Sequence, residues 1–266
     1  MLELLEQLFR QVRVYIHSER FDRDHIYQQS HEHTTMQFDR DAEDLIISGL
    51  KESGIGFEVL TEESPPFTTA PDPSYRIIID PIDGSTNVAR GIMTAGVTLA
   101  VLPIDAPILP EQVQWALVGE LFTGTVYEAK NGGGAFRNGR RCQVSDARTI
   151  EGSLIGVNFD GRDKEAILAL FKQEPVPGHI RRSGSSALDS VYVASGAYDA
   201  YIDIGGELTA ESFLASACIA LEAGAIVSDH EGKPLRPITD LHEKFSLLIA
   251  GTKELHTALL ERIRTL

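Results

Sequence analysis

The residues best suited to chemistry in this 266-residue chain lie in one run, Asp80-Pro81-Ile82-Asp83-Gly84-Ser85-Thr86-Asn87. The stretch before it, YRIIID over 75–80, is aromatic and β-branched, which predicts a strand, and Pro81 is expected to stop that strand. Asp83-Gly84 then continues as a turn, where glycine leaves room for close backbone approach. Carboxylates crowded at the exposed end of a strand repel one another unless a cation lies between them. Hard oxygens in a tight turn suit Mg2+, which takes few protein ligands and completes its shell with water and phosphate oxygens. Ser85 and Thr86 add hydroxyls and N–H donors where a phosphate would approach. Glu62-Glu63-Ser64 forms a second acidic pair, 18 residues before Asp80, at the end of another predicted strand. If the two strands lie side by side, their acidic ends meet. Alone, an Asp-x-x-Asp-Gly run is also a common surface turn or helix cap. What points to a metal site is that both acidic groups sit at strand ends.

The elements that must position these residues can be traced along the chain. Leu4, Leu5, Leu8 and Val12 recur at helical spacing, so 1–19 reads as an amphipathic helix. Residues 20–37 are polar, contain His25, His31 and His33, and read as a loop. A helix follows near 39–53, ended by Gly54. Residues 56–64 give a short strand into a turn, and the four prolines of 64–74 give a loop. The segments 94–103, 113–121 and 124–130 read as successive strands of an antiparallel sheet, with glycine turns at 132–140. Further strands are expected at 153–159, 197–203 and 225–229, and helices at 162–173, 185–196, 211–223 and 252–265. Helices and strands are interspersed without strict alternation. That argues for stacked helix and sheet layers in one compact unit spanning 1–266.

Bulk properties exclude several partners. Lys and Arg total 24 against 39 Asp and Glu, a formal charge of −15 that repels nucleic-acid phosphates and anionic membranes. A phosphorylated substrate stays compatible, because a bound divalent cation reverses the local sign inside a cleft. Two cysteines, Cys142 and Cys218, do not make a disulfide framework, so a reduced cytoplasmic protein is expected. The N-terminus lacks a signal peptide's apolar core, and no stretch approaches the roughly 20 apolar residues of a membrane span. His31-Glu32-His33 has no partner at a metal-ligand spacing and reads as exposed loop. The run GGGAF lacks the Lys-Ser/Thr of a phosphate loop and reads as a turn, and Trp115 reads as core.

The motif DPIDGSTN, preceded by Thr61-Glu62-Glu63-Ser64, resembles the inositol monophosphatase family. Three later segments resemble that family in the same order: 119–145 (GELFTGTVYEAKNGGGAFRNGRRCQVS), 180–203 (IRRSGSSALDSVYVASGAYDAYID) and 222–235 (EAGAIVSDHEGKPL). The resemblance implies an α+β fold, the layered αβαβα sandwich of the inositol monophosphatase/fructose-bisphosphatase type. It implies Mg2+-dependent hydrolysis of a small sugar or inositol phosphate by direct attack of metal-activated water, without a phosphoenzyme. By position, Glu62, Asp80, Asp83 and the Ile82 carbonyl match its metal ligands. Glu62, Ser85 and Asp39 match the groups that activate water, although Asp39 read by itself is equally a helix N-cap. Gly84, Ser85 and Thr86 match the phosphate-binding turn. Gly184, Ser185 and Ser186 match a loop facing the substrate, and Asp203 matches an acid that contacts a sugar hydroxyl. The first two serines of that loop also read as a helix start. Homodimers are frequent in the family, and a homodimer is therefore expected.

One position departs from the family pattern. An Asp that binds the second metal is replaced by Ser212, and the preceding Trp by Glu211. Ser212 cannot supply the same charge, so the second ion is expected to bind more weakly. Glu211 could compensate only if the chain bends toward the site, because adjacent helical residues face about 100° apart. Inositol monophosphate is the first expected substrate and fructose 1,6-bisphosphate the second. A different class of function, a degenerate homologue that binds a phosphorylated ligand and turns over poorly, rests on Ser212.

Overall fold

A computed structural model describes residues 1–29, 34–159 and 164–265. The chain opens with helix α1 (Leu2–Ile16), a small antiparallel hairpin of β1 (Ile26–Gln29) and β2 (Thr34–Met36), and helix α2 (Gln37–Glu52). Then come β3 (Phe57–Thr61), β4 (Phe67–Thr68), β5 (Tyr75–Asp83), the short helix α3 (Ser85–Ala89), β6 (Gly96–Pro103), β7 (Trp115–Glu120), β8 (Val126–Lys130), β9 (Gly134–Arg137) and β10 (Arg140–Arg141). The second half holds β11 (Leu154–Val157), α4 (Lys164–Lys172), β12 (His179–Arg181), α5 (Ser186–Ala194), β13 (Ala200–Leu208), α6 (Ala210–Glu222), β14 (Ile226–Ser228), β15 (Phe245–Ala250) and α7 (Lys253–Ile263).

These elements stack in five layers. An eight-stranded sheet runs β10-β9-β8-β7-β6-β5-β3-β4, and a five-stranded sheet runs β12-β11-β13-β15-β14. Helices α1 and α2 cover the outer face of the large sheet through an apolar stripe that includes Leu5, Leu8, Phe9, Val12, Phe38 and Ile46. Helices α5 and α6 fill the space between the sheets, and α4 and α7 back the smaller one. Ten of the residues of α6 are buried, so it is apolar on nearly every side, as a helix between two sheets must be. Strand β5 is buried continuously from Ile77 to Asp83 because helices cover both of its faces. The α+β layered αβαβα sandwich expected from the resemblance is the architecture found.

Several local expectations need correction. The polar stretch 20–37 holds the hairpin β1–β2 where a loop was expected; His31, Glu32 and His33 lie outside the described residues. The proline-rich loop 64–74 contributes the two-residue edge strand β4, paired to β3. Pro81 does not stop β5. The strand continues to Asp83 through a bulge, with Asp80 opposite Thr98 and Asp83 opposite Gly96. The extra residue absorbs the proline, whose missing N–H would break a regular ladder. Strand β15, paired on both sides between β13 and β14, and β12 at the edge of the sheet were not anticipated. The run FSLLIA is too short and uniformly apolar for its period to distinguish strand from helix. Trp115 is half-buried and stacks edge-on against Tyr75, with centroids 5.6 Å apart. Both cysteines are buried and free, and GGGAF leads from β8 into β9.

Candidate active site

The parallel pairing of β3 with β5 brings the two acidic groups together. Thr61 lies opposite Ile79, so Glu62 leaves β3 beside Asp80. Asp80 is 2% exposed. Its Oδ1 accepts the Ile82 N–H at 3.0 Å, and Ser212 Oγ donates to its Oδ2 at 3.3 Å. Burial, followed by the charges of Glu62, Asp83, Glu211 and Asp39, holds its carboxyl well above the ordinary range. Asp83 closes the strand, and burial raises its pKa to about 6 against the opposing pull of its hydrogen bonds. Its Oδ2 accepts Ser185 Oγ at 2.5 Å and the Ala187 N–H at 2.7 Å, which ties the large sheet to the start of α5.

Gly84 makes the turn that follows. Its φ is +107°, and a Cβ there would lie 3.2 Å from the Thr94 carbonyl oxygen and 3.3 Å from that of Gly184. Helix α3 starts at Ser85, and Asn87 N–H bonds back to the Gly84 carbonyl at 2.9 Å. Thr86 is exposed at this edge. Ser85 Oγ lies 2.7 Å from Asp39 Oδ1 and 2.9 Å from the Ile82 carbonyl, and can donate to either. Asp39 is not the N-cap of α2. That position is Met36, and Asp39 sits three residues in, with Oδ2 accepting the Met36 N–H at 3.0 Å. One oxygen thus anchors the helix start while the other faces Ser85.

Ser185 is the N-cap of α5, its hydroxyl accepting the Leu188 N–H at 3.3 Å, so the helix-start reading of this loop holds. Gly184, Ser185 and Ser186 line a polar cavity of about 130 Å³ together with Asp83, Arg182 and Asp189. Asp203 is fully buried one step behind, accepting from Asn158 Nδ2 at 3.1 Å, while Asn158 also reaches Ser186 Oγ at 3.4 Å. On the other side, exposed Glu62 borders a cleft of about 460 Å³ between 60–66 and 238–242.

Four residues matter here that the sequence reading did not single out. Glu43 of α2 is fully buried and accepts from Thr61 Oγ1, Ser64 Oγ and Arg40 Nη1 at 2.8, 2.7 and 2.8 Å. Arg40 also donates to the Glu63 carbonyl at 2.5 Å. Together they clamp the loop that carries Glu62 at both ends. Asp189, also buried, has its pKa raised to about 7 by burial, with Ser183 opposing. Only Asn87 carried a readable signal, as the last letter of the motif. Its Nδ2 donates to the Thr94 and Ser183 carbonyls, both at 2.8 Å, latching the turn to the loop before α5. Gly184 permits this approach, since a Cβ on it would lie 2.8 Å from that nitrogen. Asn87→Ala strands two carbonyls and is expected to cost about 2–4 kcal/mol by urea denaturation. A loss below about 0.5 kcal/mol, within the range of ordinary surface substitutions, would show that the latch is unimportant.

The donor set suits a hard divalent cation. It is all oxygen, and Asp80 is buried among four further acids whose charges oppose its ionisation. Among the described residues no three His, Cys, Asp or Glu side chains form a ready-made cage. An ion would therefore take one or two carboxylates plus backbone carbonyl, water or substrate oxygens, a shell Mg2+ accepts readily.

A layered sandwich with an acidic, all-oxygen site at strand ends beside a tight glycine turn fits the class of metal-dependent phosphatases. Comparison with known proteins gives the family: the profile described as "Inositol monophosphatase family" matches residues 2–266, and the chain belongs to that family. It is 28% identical over 238 residues to the fructose-1,6-bisphosphatase/inositol-1-monophosphatase of Methanothermobacter thermautotrophicus, covering 87% of this chain and 84% of that one. It is 30% identical to the Nus factor SuhB of Pseudomonas aeruginosa, over 86% and 82% of the two chains. Among solved structures, the extragenic suppressor protein suhB from Bartonella henselae superposes with a TM-score of 0.84 at 25% identity, over 99% and 98% of the chains. No helix among the described residues is long and apolar enough to cross a membrane.

Proposed function

We propose that this chain acts over residues 1–266 as a Mg2+-dependent phosphomonoesterase whose first substrate is inositol monophosphate. The observation that supports it most is the 2.7 Å contact between Ser85 and Asp39 beside the joined acidic ends of β3 and β5. A bound divalent ion would neutralise phosphate charge and lower the pKa of a water. Glu62, Asp80, Asp83 and the Ile82 carbonyl are the groups that would hold it. Ser85, hydrogen-bonded to Asp39, keeps lone pairs that can accept a hydrogen bond from an attacking water. The water's proton can then pass to the Ser85 hydroxyl as the hydroxyl proton passes to the Asp39 carboxylate. Glu62 is the second carboxylate that would orient this water. Gly84, Ser85 and Thr86 offer N–H and hydroxyl donors to the phosphate. Gly184, Ser186 and Arg182 bound the polar cavity that would take substrate hydroxyls, with Asp203 supporting it through Asn158. Positioning and electrostatics supply most of the acceleration in such a site. The same reading has the protein working as a homodimer in the cytoplasm.

Fructose 1,6-bisphosphate is the second substrate, because the Methanothermobacter relative carries both activities in its name. The SuhB names of other relatives do not redirect the proposal toward nucleic acid, since a charge of −15 opposes phosphate-backbone binding. Released phosphate should be measured over inositol monophosphates, fructose 1,6-bisphosphate and other sugar phosphates, with Mg2+ and with chelator. Mg2+-dependent turnover highest on an inositol monophosphate is expected. Turnover that persists in chelator, or none on any ester, would overturn the proposal.

A further inference from the structure

The hairpin of β9 and β10 carries a cluster of positive charge that the phosphatase reading does not use. Its two-residue turn, Asn138-Gly139, has φ of +48° and +73°, the left-handed pair that a tight hairpin requires. Asn138 fastens the turn to β8, its N–H donating to the Val126 carbonyl and its Oδ1 accepting the Val126 N–H, both at 2.8 Å. The turn sets Arg137 directly opposite Arg140 across the ladder. Like charges so placed destabilise a sheet. On its other side Arg137 lies opposite Tyr127, and its guanidinium sits over that fully buried ring, 5.5 Å from the centroid. A cavity of about 550 Å³ opens between the hairpin and the end of α5, and its lining includes Arg137, Arg140, Arg141, Gln143 and Ser195. No described Asp or Glu lines it.

Acids outnumber bases by 39 to 24 in this chain. Yet among the described residues none of these three arginines has an ion-pair partner. Guanidinium groups gathered in one concave place without a carboxylate repel one another, and an anion between them turns that repulsion into attraction. Each guanidinium is a planar fork of donors matched to phosphate oxygens, while Ser195 and Gln143 add neutral polar groups for the rest of a ligand. The volume is that of a site for a small molecule. We propose that this cavity binds a phosphoryl dianion, free or carried on a small metabolite, with Arg137 and Arg140 as its clamp. It is separate from the candidate active site, since β9 stands four strands from β5, about 19 Å at the ordinary strand spacing. A small anion fits it better than nucleic acid does, because a polyanion reaching beyond the cavity meets a chain whose net charge is −15.

The test is calorimetric titration of the full chain in chelator, at an ionic strength held constant with chloride. The probes are inorganic phosphate, glucose 6-phosphate and a single-stranded oligonucleotide. The proteins are wild type, a double variant carrying Arg137→Gln and Arg140→Gln, and a second carrying Arg137→Lys and Arg140→Lys. Thermal melting with and without phosphate runs in parallel. Wild type should bind a phosphoryl compound and melt higher in its presence. Equal affinity for both small probes points to free phosphate, and tighter binding of glucose 6-phosphate points to a metabolite; either supports the site. The Gln variant should bind at least ~10-fold more weakly, the worth of one charge-assisted hydrogen bond, and should release phosphate from esters in Mg2+ as wild type does. The Lys variant, which keeps the charges and loses the forks, should fall between the two. Both arginines are exposed, so the Gln variant should melt no lower than wild type without phosphate. If it does melt lower, the Lys variant carries the comparison. Titrations of wild type and both variants that superimpose, or binding of the oligonucleotide alone, would overturn the proposal. Because the measurement is made without metal, that result would leave the phosphatase reading untouched.

Discussion

Asp80→Asn should reduce metal-dependent phosphate release by at least ~100-fold, beyond what loss of an outer-shell partner of a metal site costs. The substitution keeps the shape of the side chain, including an oxygen for the Ile82 N–H, and removes one negative charge. Asp80 is the buried acid whose ionisation the charges of Glu62, Asp83, Glu211 and Asp39 all oppose. With metal chelated, the same variant should be more stable than wild type. The sign follows from linkage: a buried acid whose pKa is raised keeps its proton in the folded chain at pH values where the unfolded chain has lost it. Stability therefore falls as pH rises above the ordinary carboxylate range toward the raised value, and Asn removes that fall. The variant's advantage should grow with pH across that interval. Melting curves over pH with chelator, alongside phosphate release with Mg2+, check both signs. Activity within threefold of wild type, or lower metal-free stability, would contradict the role given to Asp80.

Glu43→Ala should destabilise the chain by about 3–5 kcal/mol, because it removes a fully buried carboxylate that accepts three hydrogen bonds, one of them from a guanidinium. The Glu43 side chain is fully buried, and that of Arg40 is 24% exposed. Thr61 and Ser64 lose their acceptor at the same time. A loss of this size is a large share of the 5–15 kcal/mol that holds a typical domain folded. Glu43→Gln separates stability from positioning. Gln still accepts from Thr61, but its amide meets Arg40 and Ser64 with donors instead of acceptors. The loop carrying Glu62 should then loosen without a cavity, weakening divalent-ion affinity more than stability. Urea denaturation of both variants, with Mn2+ titration of Glu43→Gln, measures the two effects. A cost under about 1 kcal/mol for Glu43→Ala, no more than an average substitution, would show that the clamp does not hold the loop.

The candidate site was legible in the sequence as far as it is local. Asp80, Asp83, Gly84, Ser85 and Thr86 are neighbours in the chain, and the strand before them is written in β-branched residues. The five-layer fold followed from the resemblance and from the interspersed periods. What the sequence could not contain is anything decided by strands and helices meeting. Glu62 reaches Asp80 because β3 and β5 pair in parallel at a register that sets Thr61 opposite Ile79. Asp39 was readable as an N-cap, yet helix α2 starts three residues earlier and delivers that carboxylate to Ser85, 46 residues away. Pro81 signals a strand end, but a one-residue bulge accommodates it and turns Asp83 toward α5. Nothing in QFDRDAED marks Glu43 as the anchor of a loop 18 residues on, since its three donors come from two separate segments. The same holds at the one position that departs from the family. The sequence placed Ser212 where a charge was expected and Glu211 beside it. Only packing of α6 against the bulged strand sets Ser212 on Asp80 and buries Glu211 beside it in the chain, because burial and contact belong to the assembled layers.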